Sequence, residues 1–297
     1  MPEIGNKIAT ADIDLVDETF DVLLSGSYHL SIQIEPGRLS FCVFNTVINK
    51  YIVLRSYPVS ITDPAPAIGH SSLVSAYSPI FENDNLLSLS YKSSSLLWIS
   101  PRCTLVPGHF FNPGEEDLYL AFNHGAVAGE HILYRFIRPA NLYSVFSIPE
   151  ELLNLIWMHQ PRIHFFHQFS PFIKSVFAGT TLTDNVDMTI YFYSHWLDVV
   201  VMKNNKLLFY NSFKIISPAD SVYYLAGVSN LFDIDLKTIK LMYTGDLLKM
   251  PPEIAILKDF FSTIIECKPP NTVAYSHYIT EPFRKDFIHL FNLNGCE

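Results

Sequence analysis

Residues 188–213, MTIYFYSHWLDVVVMKNNKLLFYNSF, repeat an earlier stretch, and this constrains the fold more than any other feature of the chain. Set beneath residues 30–57, LSIQIEPGRLSFCVFNTVINKYIVLRSY, Leu39 falls on Leu197, 158 residues on. At that offset Leu30 meets Met188, Ile32 meets Ile190, Ile34 meets Phe192, Phe41 meets Val199 and Val43 meets Val201. The second turn of the later copy is two residues shorter. Beyond it Lys50 meets Lys206, Val53 meets Phe209, Ser56 meets Ser212 and Tyr57 meets Phe213. Leu30, Ile32 and Ile34 alternate with polar residues, the period of a half-buried strand. Glu35-Pro36-Gly37 reads as a turn, because proline pre-sets φ and glycine accepts positive φ. Three strands joined by short turns make an antiparallel meander, here written twice.

Between the copies, Leu73, Tyr77 and Ile80 are spaced for a helix. Residues 86–90 and 95–99 read as short strands, 101–113 as a loop and 115–122 as a short helix. Residues 131–137 and 142–146 form an additional strand pair. Ser147 and Glu150 have capping-box spacing with proline between them, so a helix should begin there. A strand at 162–166 and a helix at 171–177 follow, and polar residues 179–187 make a domain boundary. After the second meander, Ser217-Pro218-Ala219-Asp220 starts a helix. A strand at 238–243, a helix at 253–261 and a last helix with stripe Phe283, Phe287, Leu290 and Phe291 complete the chain. The expected organisation is an acidic solvated lead-in (1–26), a first domain (27–180) carrying the extra pair, and a second domain (185–297). Each would be an α/β unit with a mixed five-stranded sheet and flanking helices.

Function classes narrow from charge. Net charge is −9 and no basic run with interleaved aromatics occurs, which argues against nucleic acid. Charged residues are 16% of the chain, below the roughly 25% usual in soluble domains, so either much of the chain is interior or part of its surface is covered by a protein partner. Mean hydropathy is +0.20, yet no apolar run approaches the ~18–20 residues of a spanning helix. With no signal-peptide pattern and four scattered cysteines, the expectation is a cytoplasmic protein with reduced thiols. His159, His164 and His167 invite a metal reading. On a strand, however, residues 164 and 167 point to opposite faces, so no metal site is expected. Cys103 and His109 are read as packing residues rather than a nucleophile pair.

The element order resembles the ribonuclease-H-like unit, two of which in tandem form the fold of actin-like ATPases, sugar kinases and Hsp70 chaperones. More closely, HLSIQIEPGRLSFCVF, KLLFYNSFKIISPADSVYYL and LMYTGDL resemble an uncharacterised bacterial family, a domain of unknown function with an actin-like ATPase fold. The resemblance implies tandem ribonuclease-H-like domains around a nucleotide cleft. The superfamily's first turn carries Asp-x-Gly, whose glycine admits phosphate to the backbone and whose carboxylate serves a metal or water. Here that turn holds Glu35, Pro36, Gly37 and Arg38. Pro36 removes one backbone donor. The second copy offers Tyr193, Ser194, His195 and Trp196, with neither glycine nor acid. The superfamily's Gly-Gly adenosine segment becomes Thr244-Gly245-Asp246. The resemblance therefore implies a degenerate cleft at Glu35, Gly37, Arg38, His195, Thr244, Gly245 and Asp246, with no catalytic residue and no cofactor. The resulting expectation is a non-catalytic cytoplasmic scaffold or protein-interaction module. A divergent kinase or ATPase using Glu35, Gly37, Arg38 and Gly245, and a small-molecule sensor, are the alternatives.

Overall fold

The structure, a computed structural model, describes residues 9–60, 71–126, 128–179, 186–193, 195–245, 251–268 and 272–296. In chain order the strands are β1 (Ile13–Val16), β2 (Tyr28–Glu35), β3 (Arg38–Asn45), β4 (Lys50–Pro58), β5 (Ser93–Trp98), β6 (Cys103–Pro107), β7 (Glu130–Ile137), β8 (Leu142–Pro149), β9 (His164–His167), β10 (Val186–Phe192), β11 (Trp196–Lys203), β12 (Lys206–Lys214), β13 (Lys240–Gly245), β14 (Thr263–Glu266) and β15 (Ala274–Tyr275). The helices are α1 (Ser71–Asn83), α2 (Glu116–His124), α3 (Glu150–His159), α4 (Phe169–Gly179), α5 (Pro218–Leu231), α6 (Pro251–Phe260), α7 (Glu281–Asp286) and α8 (Ile288–Leu293). Contacts divide them into two units. One holds the described residues up to 170 with 272–280 and 293–296; the other holds 171–268 with 281–292. Residues 272–280 and 293–296, read from sequence as part of a second domain, thus pack with the first unit. Of the expected boundary, 179–187, residues 180–185 lie outside the described residues, Gly179 ends α4 and Val186 begins β10, while contacts divide the chain after Ser170.

In the first unit the sheet order is β1-β4-β3-β2-β5-β9, with β15 also pairing β4. The β2–β3 and β3–β4 pairs are antiparallel, while β2–β5 and β5–β9 are parallel. Leu30, Ile32 and Ile34 enter a core with Leu39, Phe41, Val43, Tyr77 and Ile80, as the alternation requires. Each such aliphatic contributes about 1.5–3 kcal/mol on burial. The polar face of β2 is buried as well, for Ser31 and Gln33 are both covered. This sheet has seven strands rather than five, because β1 and β15 are added to it.

The second unit keeps five, in the order β12-β11-β10-β13-β14. Its pairs have the same senses in the same places: β10–β11 and β11–β12 antiparallel, β10–β13 and β13–β14 parallel. The two meanders also share a defect. Register slips between Val43 and Phe44 in the first and between Val201 and Met202 in the second, positions 158 residues apart. Each slip leaves one extra residue on the third strand, a β-bulge.

Several local expectations change. The lead-in is not merely solvated. β1 pairs antiparallel with β4, and its acids meet three cations: Arg38 with Asp12, Arg55 with Asp14 and Lys50 with Asp17. Residues 85–88 form a 3-10 turn instead of a strand, because the Asp84 carboxylate caps it at Leu86 N. The expected loop 101–113 contains β6, which makes the strand pair a three-stranded sheet, β6-β8-β7. Ser147 is no helix cap. It lies within β8, and its hydroxyl donates to Glu130 Oε2 at 2.7 Å. The strand β14 follows α6, and the last helix is broken into α7 and α8. None of the four cysteines is disulfide-bonded. Among the described residues no helix is long and apolar enough to cross a membrane.

Candidate functional site

The β2–β3 turn pairs Glu35 with Arg38 across two residues. Gly37 has φ +88°, the positive value that the third position of a type II turn demands. Its carbonyl accepts from Val59 N at 2.9 Å. The Glu35 carbonyl accepts from Tyr77 OH at 2.8 Å, and its carboxylate from Gln33 Nε2 at 3.3 Å. Arg38 is committed elsewhere. Its guanidinium forks onto Asp12, with Nη1–Oδ1 at 3.0 Å and Nη2–Oδ2 at 2.8 Å, and Nη1 also donates to Ser56 Oγ at 2.6 Å. A paired, bidentate arginine is an expensive source of a phosphate contact. That partner lies 26 residues upstream, out of reach of any short-range sequence pattern.

The β10–β11 turn keeps one main-chain bond of its counterpart and changes the chemistry. His195 takes the place of Gly37, and its carbonyl accepts from Ile215 N at 2.9 Å, the counterpart of the Val59–Gly37 bond. Its side chain is exposed. Tyr193 N donates to Trp196 O at 2.9 Å, and the two rings lie 5.4 Å apart between centroids. Tyr193 OH and His289 Nδ1 are 3.2 Å apart, while Tyr191 stacks on His289 at 3.7 Å. Large rings thus stand beside this turn where the superfamily pattern requires bare backbone.

At the end of β13, Thr244 is buried and Gly245 has φ +119°. Asp246 lies outside the described residues. A Cβ on Gly245 would collide with Phe192 O and lie 2.7 Å from Phe192 N. Close approach of β13 to β10 therefore requires this glycine, whatever else passes nearby. Gly245→Ala is expected to destabilise the protein by about 2–4 kcal/mol in urea denaturation, from backbone strain and collision. A loss below about 1 kcal/mol would mean that the Phe192 backbone yields easily.

The histidine cluster does not converge. His164 is exposed at the start of β9 and His167 is fully buried at its end. Both ring nitrogens of His167 are engaged, Nε2 with Ser100 O at 2.6 Å and Nδ1 with Phe169 N at 3.2 Å. Two groupings escaped the sequence. Asp17, Glu18 and His277 each offer a ligand atom, all within 4.8 Å of one another. A cation already sits there, since Lys50 Nζ is 2.8 Å from the Asp17 carboxylate. Burial alone would raise the Asp17 carboxyl, but bonds from Lys50, Thr19 and Ser276 outweigh it and hold the group well below the usual range. No short-range spacing could reveal a trio whose histidine is 259 residues beyond Glu18. The second grouping is Asp198, fully buried, accepting from Tyr210 OH at 3.0 Å and from Ser212 Oγ. The repeat carried the signal for it: Asp198 and Ser212 stand where Ser40 and Ser56 bond to each other at 2.8 Å.

The family described as a protein of unknown function, DUF3822, matches residues 17–264. A crystal structure from Bacteroides thetaiotaomicron VPI-5482, described as a protein with actin-like ATPase fold and unknown function, is similar at TM-score 0.78 and 22% identity, covering 94% of this chain and 100% of its own. A chain of the PilM–PilN type IV pilus biogenesis complex is similar at TM-score 0.58 and 12% identity, over 91% of this chain and 98% of its own. No curated protein matches. At these identities the similarity establishes the fold, an actin-like ATPase fold.

Proposed function

We propose that this chain, which belongs to the DUF3822 family of proteins of unknown function, is a non-catalytic cytoplasmic scaffold that binds protein partners through a duplicated ribonuclease-H-like body. The observation that carries this reading is the state of the two turns. In one the arginine is spent on Asp12 and Ser56; in the other Tyr193 and Trp196 stand where phosphate needs open backbone. The shared strand order and the bulge repeated at a 158-residue offset support descent of both sheets from one ancestral domain, whose two copies would lie within residues 27–180 and 185–297. A net charge of −9 favours protein over nucleic acid as the partner. The PilM–PilN type IV pilus biogenesis complex offers a parallel in which the same fold is part of a protein assembly. Fold alone does not assign function, so the parallel is one of architecture.

Thermal-shift scans with millimolar ATP or ADP and Mg²⁺ test the reading. A ligand at 100 times its Kd would stabilise by about 2.7 kcal/mol, a shift of several degrees. The expected result is no shift. The ATPase alternative retains one favourable feature, the Glu35 carboxylate beside Gly37. A rise in Tm with nucleotide that disappears in Glu35→Ala would establish that alternative and overturn the scaffold reading.

A further inference from the structure

The outer edges of the two meanders differ. In the first unit β4 is covered: β1 pairs with it from Val53 to Ser56 and β15 at Lys50 and Tyr51. Asp12 N donates to Ser56 O at 3.0 Å and Asp17 N to Ile52 O at 2.8 Å. In the second unit the equivalent strand, β12, ends its sheet, with no strand beyond it among the described residues. It is nine residues long, and its bulge at Leu208 and its terminal lysines are the devices that guard an open edge against indiscriminate pairing. Ser56 and Ile52 correspond to Ser212 and Leu208. The Ser212 N–H is capped by the Oδ1 of its own neighbour Asn211 at 2.9 Å, and Leu208 is 43% exposed. The bulge does not forbid pairing, because β4 carries the same bulge and accepts β1 beside it.

Charge says what would fit. Lys50, which holds Asp17 at 2.8 Å in the first unit, corresponds to Lys206. Lys206 and Lys214, at the two ends of β12, are exposed and have no acidic partner among the described residues. A second copy of β12 paired antiparallel about Tyr210 would set Lys206 against Lys214 at both ends, like charges directly opposed. We propose that β12 receives an extended, antiparallel strand of a partner protein in which aliphatic residues alternate with acids and acids stand at both ends. Main-chain bonds to the edge supply affinity, and the two lysines fix direction and register. This names the partner chemistry of the scaffold reading and rests on it.

The test uses the full chain and a fluorescein-labelled peptide of residues 10–18, TADIDLVDE, the segment that already covers β4. Fluorescence polarisation should show saturable binding that weakens at least tenfold in Lys206→Glu/Lys214→Glu and in Leu208→Pro, each checked by circular dichroism for an intact fold. A peptide with its three aspartates changed to lysine should not bind. Absence of saturable binding overturns the proposal. So does binding that survives the double lysine change, since the peptide would then have exchanged with β1 on β4. Nucleotide stabilisation, by contrast, would sink the non-catalytic reading without altering the peptide measurement, so the two failures are told apart.

Discussion

Asp84→Ala is expected to lower the unfolding free energy by about 3–5 kcal/mol, the usual cost of removing one partner of a buried ion pair. The Asp84 side chain is 1% exposed and accepts from four donor bonds. Arg55 Nη1 reaches both carboxylate oxygens, at 2.9 and 3.0 Å. Tyr57 OH donates at 2.6 Å, and Leu86 N at 2.9 Å caps the turn that follows α1. Without the carboxylate, the guanidinium retains only the exposed Asp14, and the hydroxyl and the N–H lose their acceptor. Asp14→Ala should cost under about 1 kcal/mol, because that pair faces solvent. Urea denaturation of both variants at pH 7 checks the contrast. Equal losses would show that Asp84 is no keystone of the first unit. The predicted loss is a large fraction of a normal domain's stability, so Asp84→Ala should fold but with a much lower urea midpoint.

The two three-strand meanders were legible because their signal is local. Alternation in residues 30–34 and 188–192 assigns faces, and the short turns force neighbouring strands to pair. The 158-residue repeat then predicts that whatever one meander does, the other does too, down to the bulge at Val43 and Val201. What escaped lacked any such local signal. β1 is four residues, Ile-Asp-Leu-Val, and its own Asp14 with the flanking Asp12 and Asp17 makes it look like solvated chain. Only the cations waiting on β3 and β4 turn that acidic stretch into a strand, and they lie 26 to 41 residues away. β15 is two residues long and is specified by the edge it joins, not by its own sequence. The same non-local pairing hid structural roles within the site. Arg38 forks onto Asp12, 26 residues upstream. Gly245 leaves room for the backbone of Phe192, which lies on another strand. Glu35 and Gly37 do sit in one turn, as read, while His195 contributes its carbonyl to the strand ladder.

His167 should impose a pH dependence that no sequence pattern announces. The ring is fully buried at the end of β9, and burial pushes its pKa down to about 3, against a partial upward pull from the Ser100 carbonyl. Nε2 therefore carries the proton given to Ser100 O, and Nδ1 accepts from Phe169 N. Ser100 N in turn donates to Gln168 Oε1 at 2.8 Å, so the ends of β5 and β9 are tied in both directions. The sign follows from linkage. The unfolded chain takes up this proton near pH 6.5 and the folded chain near pH 3, so the unfolded state binds more protons in between. Stability is full above pH 6.5 and falls as pH drops toward 3, by about 3–5 kcal/mol from this one group. Asp17, held below its usual range, adds its own loss only beneath the unfolded carboxyl value of about 4. The interval from pH 6.5 to 4.5 thus isolates the histidine. Urea unfolding across that interval should slope downward in the native protein. It should be nearly flat in His167→Gln, which keeps a donor for Ser100 but cannot titrate. Parallel slopes in the two proteins would show that the His167 ring is charged in the folded state, and the neutral, doubly bonded imidazole described for β9 would be wrong.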